Sequence, residues 1–245
     1  MQKGKLIIAT IIAVAVIVSA WLLAGGIKHF SGGDPKITVT GMASRQIKSD
    51  QIVWTIKAVA VNKDQRQAYA EHKRYKERIL AYLKERGIEQ EQISFSSTSV
   101  EEKYDQYYSN QMQKYIREYK GFELMSDIII TSSRVDEVEQ IYQSISELLH
   151  EGIGLVARAP RYYYTQLNTL KMEMLQEASE DAYNRASIIA RGSKGSIGRM
   201  TSSSMGVFQI VGLNSEDEYS WGGTFNTSSK LKTASVTVRS SFEVD

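Results

Sequence analysis

The chain has 245 residues and no cysteine, only three histidines, and 30 basic side chains against 28 acidic ones. Without cysteine there is no disulfide, no thiolate metal site, no cysteine nucleophile and no lipid-anchored N-terminal cysteine. Export stays open, because secretion does not require disulfides. The near-balance of charge withholds the dense positive field with which nucleic-acid binders displace counterions, so no nucleic-acid partner is expected. His29, His72 and His150 are too scattered to supply clustered ligands, and no metal is expected. His72 reads as a hydrogen-bonded core or boundary residue, and His150 suits the C-terminal end of a helix electrostatically.

What is present supports a folded domain behind an apolar N-terminal run. Hydrophobic residues make up 42% and charged residues 24%, enough for one medium domain or two small ones. Leu6–Gly26 carries no charge, and a helix of roughly 20 residues spans the hydrocarbon core of a bilayer. Lys3 and Lys5 before it favour a cytoplasmic N-terminus with the remaining chain outside. Trp21, Leu22 and Leu23 stand where a cleavable signal has small residues, so an uncleaved single-pass anchor is expected, with secretion to the periplasm after cleavage as the alternative. Residues 1–27 thus read as membrane anchor or signal sequence, 28–36 as a flexible tether and 37–245 as the folded domain.

The domain reads as α+β. Residues 36–47 and 49–61 carry β-branched residues in partial alternation and suggest a hairpin turning near Lys48–Asp50. Ala68, His72, Tyr75, Ile79 and Tyr82 or Leu83 then repeat at helical spacing, with Gly87 placed to end the helix. Two strands follow, joined by a polar tip at Ser109–Gln113. Ser133 with Asp136 has the spacing of a capping box before a second helix lined by Val135, Val138, Ile141 or Tyr142, Ile145 and Leu148. After a strand over 157–165, a third helix over 166–191 aligns Leu167, Leu170, Met174, Ala178, Ala182, Arg185 or Ala186, and Ile189. Two closing strands complete the chain, separated by a polar loop from Leu213 to Ser229 that carries Trp221. Antiparallel strand pairs alternating with amphipathic helices suggest two similar halves meeting near Tyr119.

Gly192, Gly195 and Gly198 around Lys194 invite comparison with a phosphate loop. Such loops open a helix, where unpaired N–H groups and the positive dipole end meet the anion. Here the glycines close one, and Lys194 precedes Gly195 against the Walker order. No nucleotide or other cofactor is expected; Gly192 reads as the helix cap.

The segment "MLQEASEDAYNRASIIARGSKGSIGRMTS" (174–202), an alanine-spaced charged helix ending in glycine before a strand, resembles the C-terminal signature of SIMPL-domain proteins. "ITVTGMASRQIKSDQIVWTIKAVAVNKDQRQAYAE" (37–71) is similar to that family's opening. Ser187 and Ile188 depart from the lysine and acidic residue common there, and "ARGSKG" replaces a small-residue turn. The resemblance implies an extracytoplasmic bacterial envelope protein, linked with stress tolerance or surface antigenicity and inclined to oligomerise. It carries over no catalytic residue.

No catalytic constellation emerges from the residues either. Ser229 and Lys232 match the spacing of a serine–lysine nucleophile but lack its companion motifs. Glu177 and Asp181 lie one turn apart, and an ion pair from Asp181 to Arg185 explains that spacing. The aromatic clusters are more informative. Tyr104, Tyr107, Tyr108, Tyr115 and Tyr119 surround a strand tip, and with Trp221 they form the expected interaction surface; Tyr162, Tyr163 and Tyr164 lie in another strand. The expected function is a non-enzymatic, membrane-anchored envelope protein acting as a homo-oligomer or through an envelope protein partner, with an envelope hydrolase as the alternative.

Overall fold

The computed structural model describes residues 14–22, 35–215 and 220–245. Of the expected anchor, only 14–22 are described; they are helical and exposed. No helix among the described residues is long and apolar enough to cross a membrane. The rest of Leu6–Gly26, residues 28–34 of the tether and His29 lie outside the described residues.

The α+β class holds, with antiparallel sheets and, among the described residues beyond the helical stretch 14–22, four helices. The strands are β1 (Lys36–Lys48), β2 (Gln51–Asn62), β3 (Ile93–Phe95), β4 (Ser99–Ser109), β5 (Lys114–Ser132), β6 (Leu155–Ala157), β7 (Arg161–Tyr163), β8 (Ile197–Met205), β9 (Gln209–Gly212) and β10 (Leu231–Val244). The helices are α1 (Gln65–Glu85), α2 (Val135–Ser144), α3 (Glu147–His150) and α4 (Leu167–Gly192). The chain divides into two compact units, one of Met1–Ala43, Leu175–Gly206 and Thr237–Asp245 and one of Ser44–Met174 and Val207–Val236. β1, α4 and β10 each run from one unit into the other.

The larger unit is built on a six-stranded sheet of order β3-β5-β2-β6, with β4 also on β5 and β7 also on β2. Strict alternation in β2 buries Ile52, Trp54, Ile56 and Ala58 on one face, opposite Ile128 and Ile130 of β5. α1 and α2 cover that face with Ile79, Tyr82, Leu83, Val138 and Ile141. Each such side chain contributes about 1.5–3 kcal/mol when fully withdrawn from water. α1 begins at Asp64, whose carboxylate accepts the Arg66 and Gln67 amides at 2.9 and 3.0 Å. It ends at Gly87, which takes a left-handed φ of 84°.

The smaller unit packs α4 on strands with little between them. Ala178, Ala182, Ala186 and Ala190 are fully buried, and a Cβ on Gly41 of β1 would sit 2.1 Å from the Ala178 carbonyl oxygen. Only glycine fits there, because the obstacle is backbone. Val39, Phe242, Ile37 and Ile197 complete this core.

Several sequence expectations are corrected. β1 and β2 do not form a hairpin: β1 pairs with β10, and β2 pairs with β5, β6 and β7. The connection is held apart by Ser49 N–H donating to the Lys230 carbonyl and Asp50 N–H to the Tyr163 carbonyl, at 2.9 and 3.0 Å. Ser133 does not cap α2. Arg134 is the cap residue, and Asp136 spends its carboxylate on Lys48 and Lys230 instead. The strand expected over 157–165 divides around Pro160 into the ends of β6 and β7, since proline cannot donate to the ladder. On α4 the stripe continues through Ala186 to Ala190, leaving Arg185 and Ile189 exposed. Tyr119 lies inside continuous β5 and marks no boundary between halves.

The helix end at the glycine cluster also differs. α4 continues through Gly192, and Lys194 adopts the left-handed conformation with φ 62°. Gly195 N–H donates to the Ala190 carbonyl at 2.9 Å and Lys194 N–H to the Arg191 carbonyl at 3.1 Å, the paired bonds of a Schellman end.

Candidate functional site

The expected tyrosine surface is a two-stranded ribbon. β2 pairs with β5 only from Phe122 onward, so residues 114–121 of β5 pair with β4 alone. At the root of the ribbon the register shifts between Lys103 and Tyr104, opposite Gly121. Gly121 has φ 124°, and a Cβ there would lie 2.3 Å from the Asn62 carbonyl oxygen. Such a bulge bends its strand and raises the local twist.

Register then sets the ribbon's faces. Tyr104 is opposite Tyr119, Gln106 opposite Arg117 and Tyr108 opposite Tyr115, all on one face. Ring centroids are 5.3 Å apart in both tyrosine pairs, and the Arg117 guanidinium lies 3.7 Å from the centre of the Tyr104 ring. Tyr104 donates to Glu102 at 2.8 Å, and that hydrogen bond raises its phenol pKa. The reverse face carries Tyr107 opposite Ile116. Tyr107 and Tyr108 are each 50% exposed and Tyr115 69%, so this aromatic area faces water. Trp221 is 99% exposed on its loop and has no aromatic partner among the described residues.

A second polar constellation joins distant segments of the larger unit. Lys230 contacts Glu139 and lies 3.3 Å from Asp136; Lys48 reaches Asp136 at 2.6 Å, and Tyr162 donates to Glu139 at 2.8 Å. Burial raises the Glu139 pKa, but the bonds from Lys230 and Tyr162 outweigh it and hold the carboxyl below its usual value. The Asp136 carboxyl is lowered by Lys48 and then by Lys230. Burial and the neighbouring Glu139 push the Tyr162 phenol up. The cations and carboxylates neutralise one another, so the network ties β1, α2, β7 and the residue before β10 together. Sequence reading missed it, because its members are spread from position 48 to 230 and no local spacing announces them.

The model of one protein family, SIMPL, described as a protein of unknown function (DUF541), matches residues 37–244. The chain belongs to the SIMPL family. No curated protein matches it.

The other candidates take structural places in this SIMPL chain. His72 is 3% exposed and lies 3.0 Å from the Ser126 hydroxyl, the separation of a base and a nucleophile. Ser126 is equally buried, so no substrate can reach the pair. Burial and then Lys76 lower the His72 pKa, which keeps the ring neutral. Lys232 is fully buried and donates to the backbone carbonyl of Ser229, not to its hydroxyl. Asp181 accepts the Met42 amide and the Arg185 side chain, each at 2.8 Å. No cluster of three metal-ligating side chains exists among the described residues. A groove of about 470 Å³ is lined by Leu80, Ala81, Lys84, Ile88, Glu91 and Ile93, and none of the sequence candidates lines it.

Proposed function

We propose that this SIMPL-family protein is a non-enzymatic component of the bacterial cell envelope. In this reading residues 1–27 hold it in the cytoplasmic membrane, 28–36 form a tether, and the domain over 37–245 works outside the cytoplasm by self-association and partner binding. The observation that carries it is the projecting ribbon. Four tyrosines are displayed in two cross-strand pairs, one tilted and one edge-to-face, with Arg117 between them, a composition typical of protein contact surfaces, where aromatic rings bury apolar area and keep a polar handle. The setting in envelope or oxidative stress tolerance rests on the family resemblance.

The test uses the full chain with a C-terminal tag. Membrane fractionation should recover the uncleaved form in the membrane, and crosslinking in intact cells should capture higher-mass complexes. Replacing Tyr104, Tyr108, Tyr115 and Tyr119 together by serine should abolish the heterotypic complexes. A shortened soluble product as the dominant species would overturn the anchor, and complexes unaffected by the fourfold change would overturn the ribbon's role.

A further inference from the structure

In the smaller unit, the sheet runs β1-β10-β8 and so has β1 and β8 at its edges. The edges are treated differently. At β1 the Met42 amide is taken by Asp181 of α4, which blocks another strand from using it. Short β9, in the other unit, is also covered: its Ile210 amide donates to the Thr224 carbonyl and its carbonyl accepts the Asn226 amide, at 2.7 and 2.9 Å. Among the described residues β8 pairs only with β10, and Arg199–Met205 are exposed. From Met200 to Gly206 it reads Met-Thr-Ser-Ser-Ser-Met-Gly, without the charge or proline that natural edge strands use against pairing. Its register shifts lie at the Met200 end, leaving Ser202–Met205 regular against Ser241–Val238.

The register also places two large apolar side chains. Met200 is opposite Phe242 and Met205 opposite Val238, so both methionines lie on the sheet face where Phe242 and Val238 are buried. Yet Met200 is 56% and Met205 62% exposed, so β8 extends beyond the cover that this face receives.

We infer that the β8 edge is the contact between two copies of this chain, paired antiparallel so that their sheets become continuous. The inference rests on the self-association reading above and names its interface. A two-fold axis perpendicular to the sheet brings identical strands together and keeps the same face on the same side. The methionines of both copies then form one apolar strip. An added peptide strand would occupy the backbone edge but would not bring that cover. Because Met200–Gly206 is uncharged, two identical strands meet without like charges opposed in any register within it. Strand pairing over so short a stretch falls below the roughly 800 Å² per partner of a stable interface, so the methionine strip is a necessary part of the contact.

The absence of cysteine makes a clean test possible. Thr201→Cys, Ser202→Cys, Ser203→Cys and Ser204→Cys are made singly in the full chain, with Trp221→Cys as an exposed control, and oxidised in intact cells. Opposed residues in an antiparallel pair have Cβ atoms about 4.5–5.5 Å apart, close enough to bridge after a small shift. Disulfide-linked dimer should peak at one β8 position, fall on either side, and vanish when Met200→Lys and Met205→Lys are added. The lysines replace exposed side chains, and unchanged circular dichroism would show that the fold survives. Flat trapping equal to the Trp221→Cys control, linkage to a different protein, or dimers that persist with both lysines would overturn the β8 interface. Light scattering of the detergent-purified full chain separates the two failures: an oligomer without β8 trapping sinks only this interface, whereas a monomer sinks self-association itself.

Discussion

At the scale of single residues, burial converts a chemically suggestive pair into a structural one. His72 and Ser126 have the distance of a catalytic dyad, but each is sealed between α1 and β5. The consequence is visible in pH dependence. With its pKa lowered in the fold by burial and by Lys76, neutral His72 contributes stability that is fully present above its unfolded value of 6.5 and is lost as pH falls below it. The lowered carboxyls of Asp136, Glu139, Glu151 and Asp181 act in a separate, more acidic window, with stability lost as pH falls below their unfolded values near 4. Thermal midpoints should therefore decline from pH 6.5 toward 5, and His72→Gln should flatten that part of the profile while leaving the acid limb. An unchanged slope in the variant would refute the assignment. Gly41 makes a second residue-scale prediction. Gly41→Ala drives a methyl group into the backbone of α4 and should cost about 3 kcal/mol in denaturant unfolding, the upper part of the overpacking range.

At the scale of elements, the apolar spacing placed the helix interiors, and Gly87 ended α1 as expected. The second expected helix, however, breaks at Ile145–Ser146 into α2 and α3, and the start of α2 and the end of α4 fall elsewhere than the spacing suggests. The α1 stripe of Ala68, His72, Ile79, Tyr82 and Leu83 is buried as the period requires. The ends depend on which side chain is drawn elsewhere, as Asp136 is by Lys48 and Lys230, and on where the chain leaves the helix. In α4 that departure falls at Lys194, two residues beyond the glycine that looked like the cap. Gly192 is helical, and a Cβ added to it would meet nothing within 4 Å, so Gly192→Ala should stabilise by about 0.5–1 kcal/mol. Lys194→Gly should add about 1 kcal/mol by relieving the left-handed conformation. Chemical denaturation of the two single variants checks both, and destabilisation by Gly192→Ala would restore Gly192 as the cap.

At the scale of the whole molecule, the ribbon and the cores have separate energetics. Half-buried Tyr104 and exposed Tyr108, Tyr115 and Tyr119 lie on a two-stranded extension and add little to the core, so the fourfold tyrosine-to-serine variant should unfold within about 1 kcal/mol of the parent while losing its partner complexes. Loss of folding together with binding would mean that the ribbon is structural. Local sequence determined much: α1, the alternation of β2, the polar tip between β4 and β5, and the closing of a helix at the 192–198 glycine cluster all follow from periodicity and turn chemistry within a few residues. It also put Tyr104, Tyr107, Tyr108, Tyr115 and Tyr119 near one tip. Whether those rings faced a core or water was decided by tertiary pairing, because β2 stops at the partner of Phe122 and, among the described residues, leaves the ribbon paired only within itself. The same holds for β1 and β2, adjacent in sequence yet in different sheets, and for the Lys48, Asp136, Glu139, Tyr162 and Lys230 network. Side-chain period is a short-range property of the backbone; strand partners and ion pairs are chosen by burial and hydrogen bonding among segments far apart in the chain.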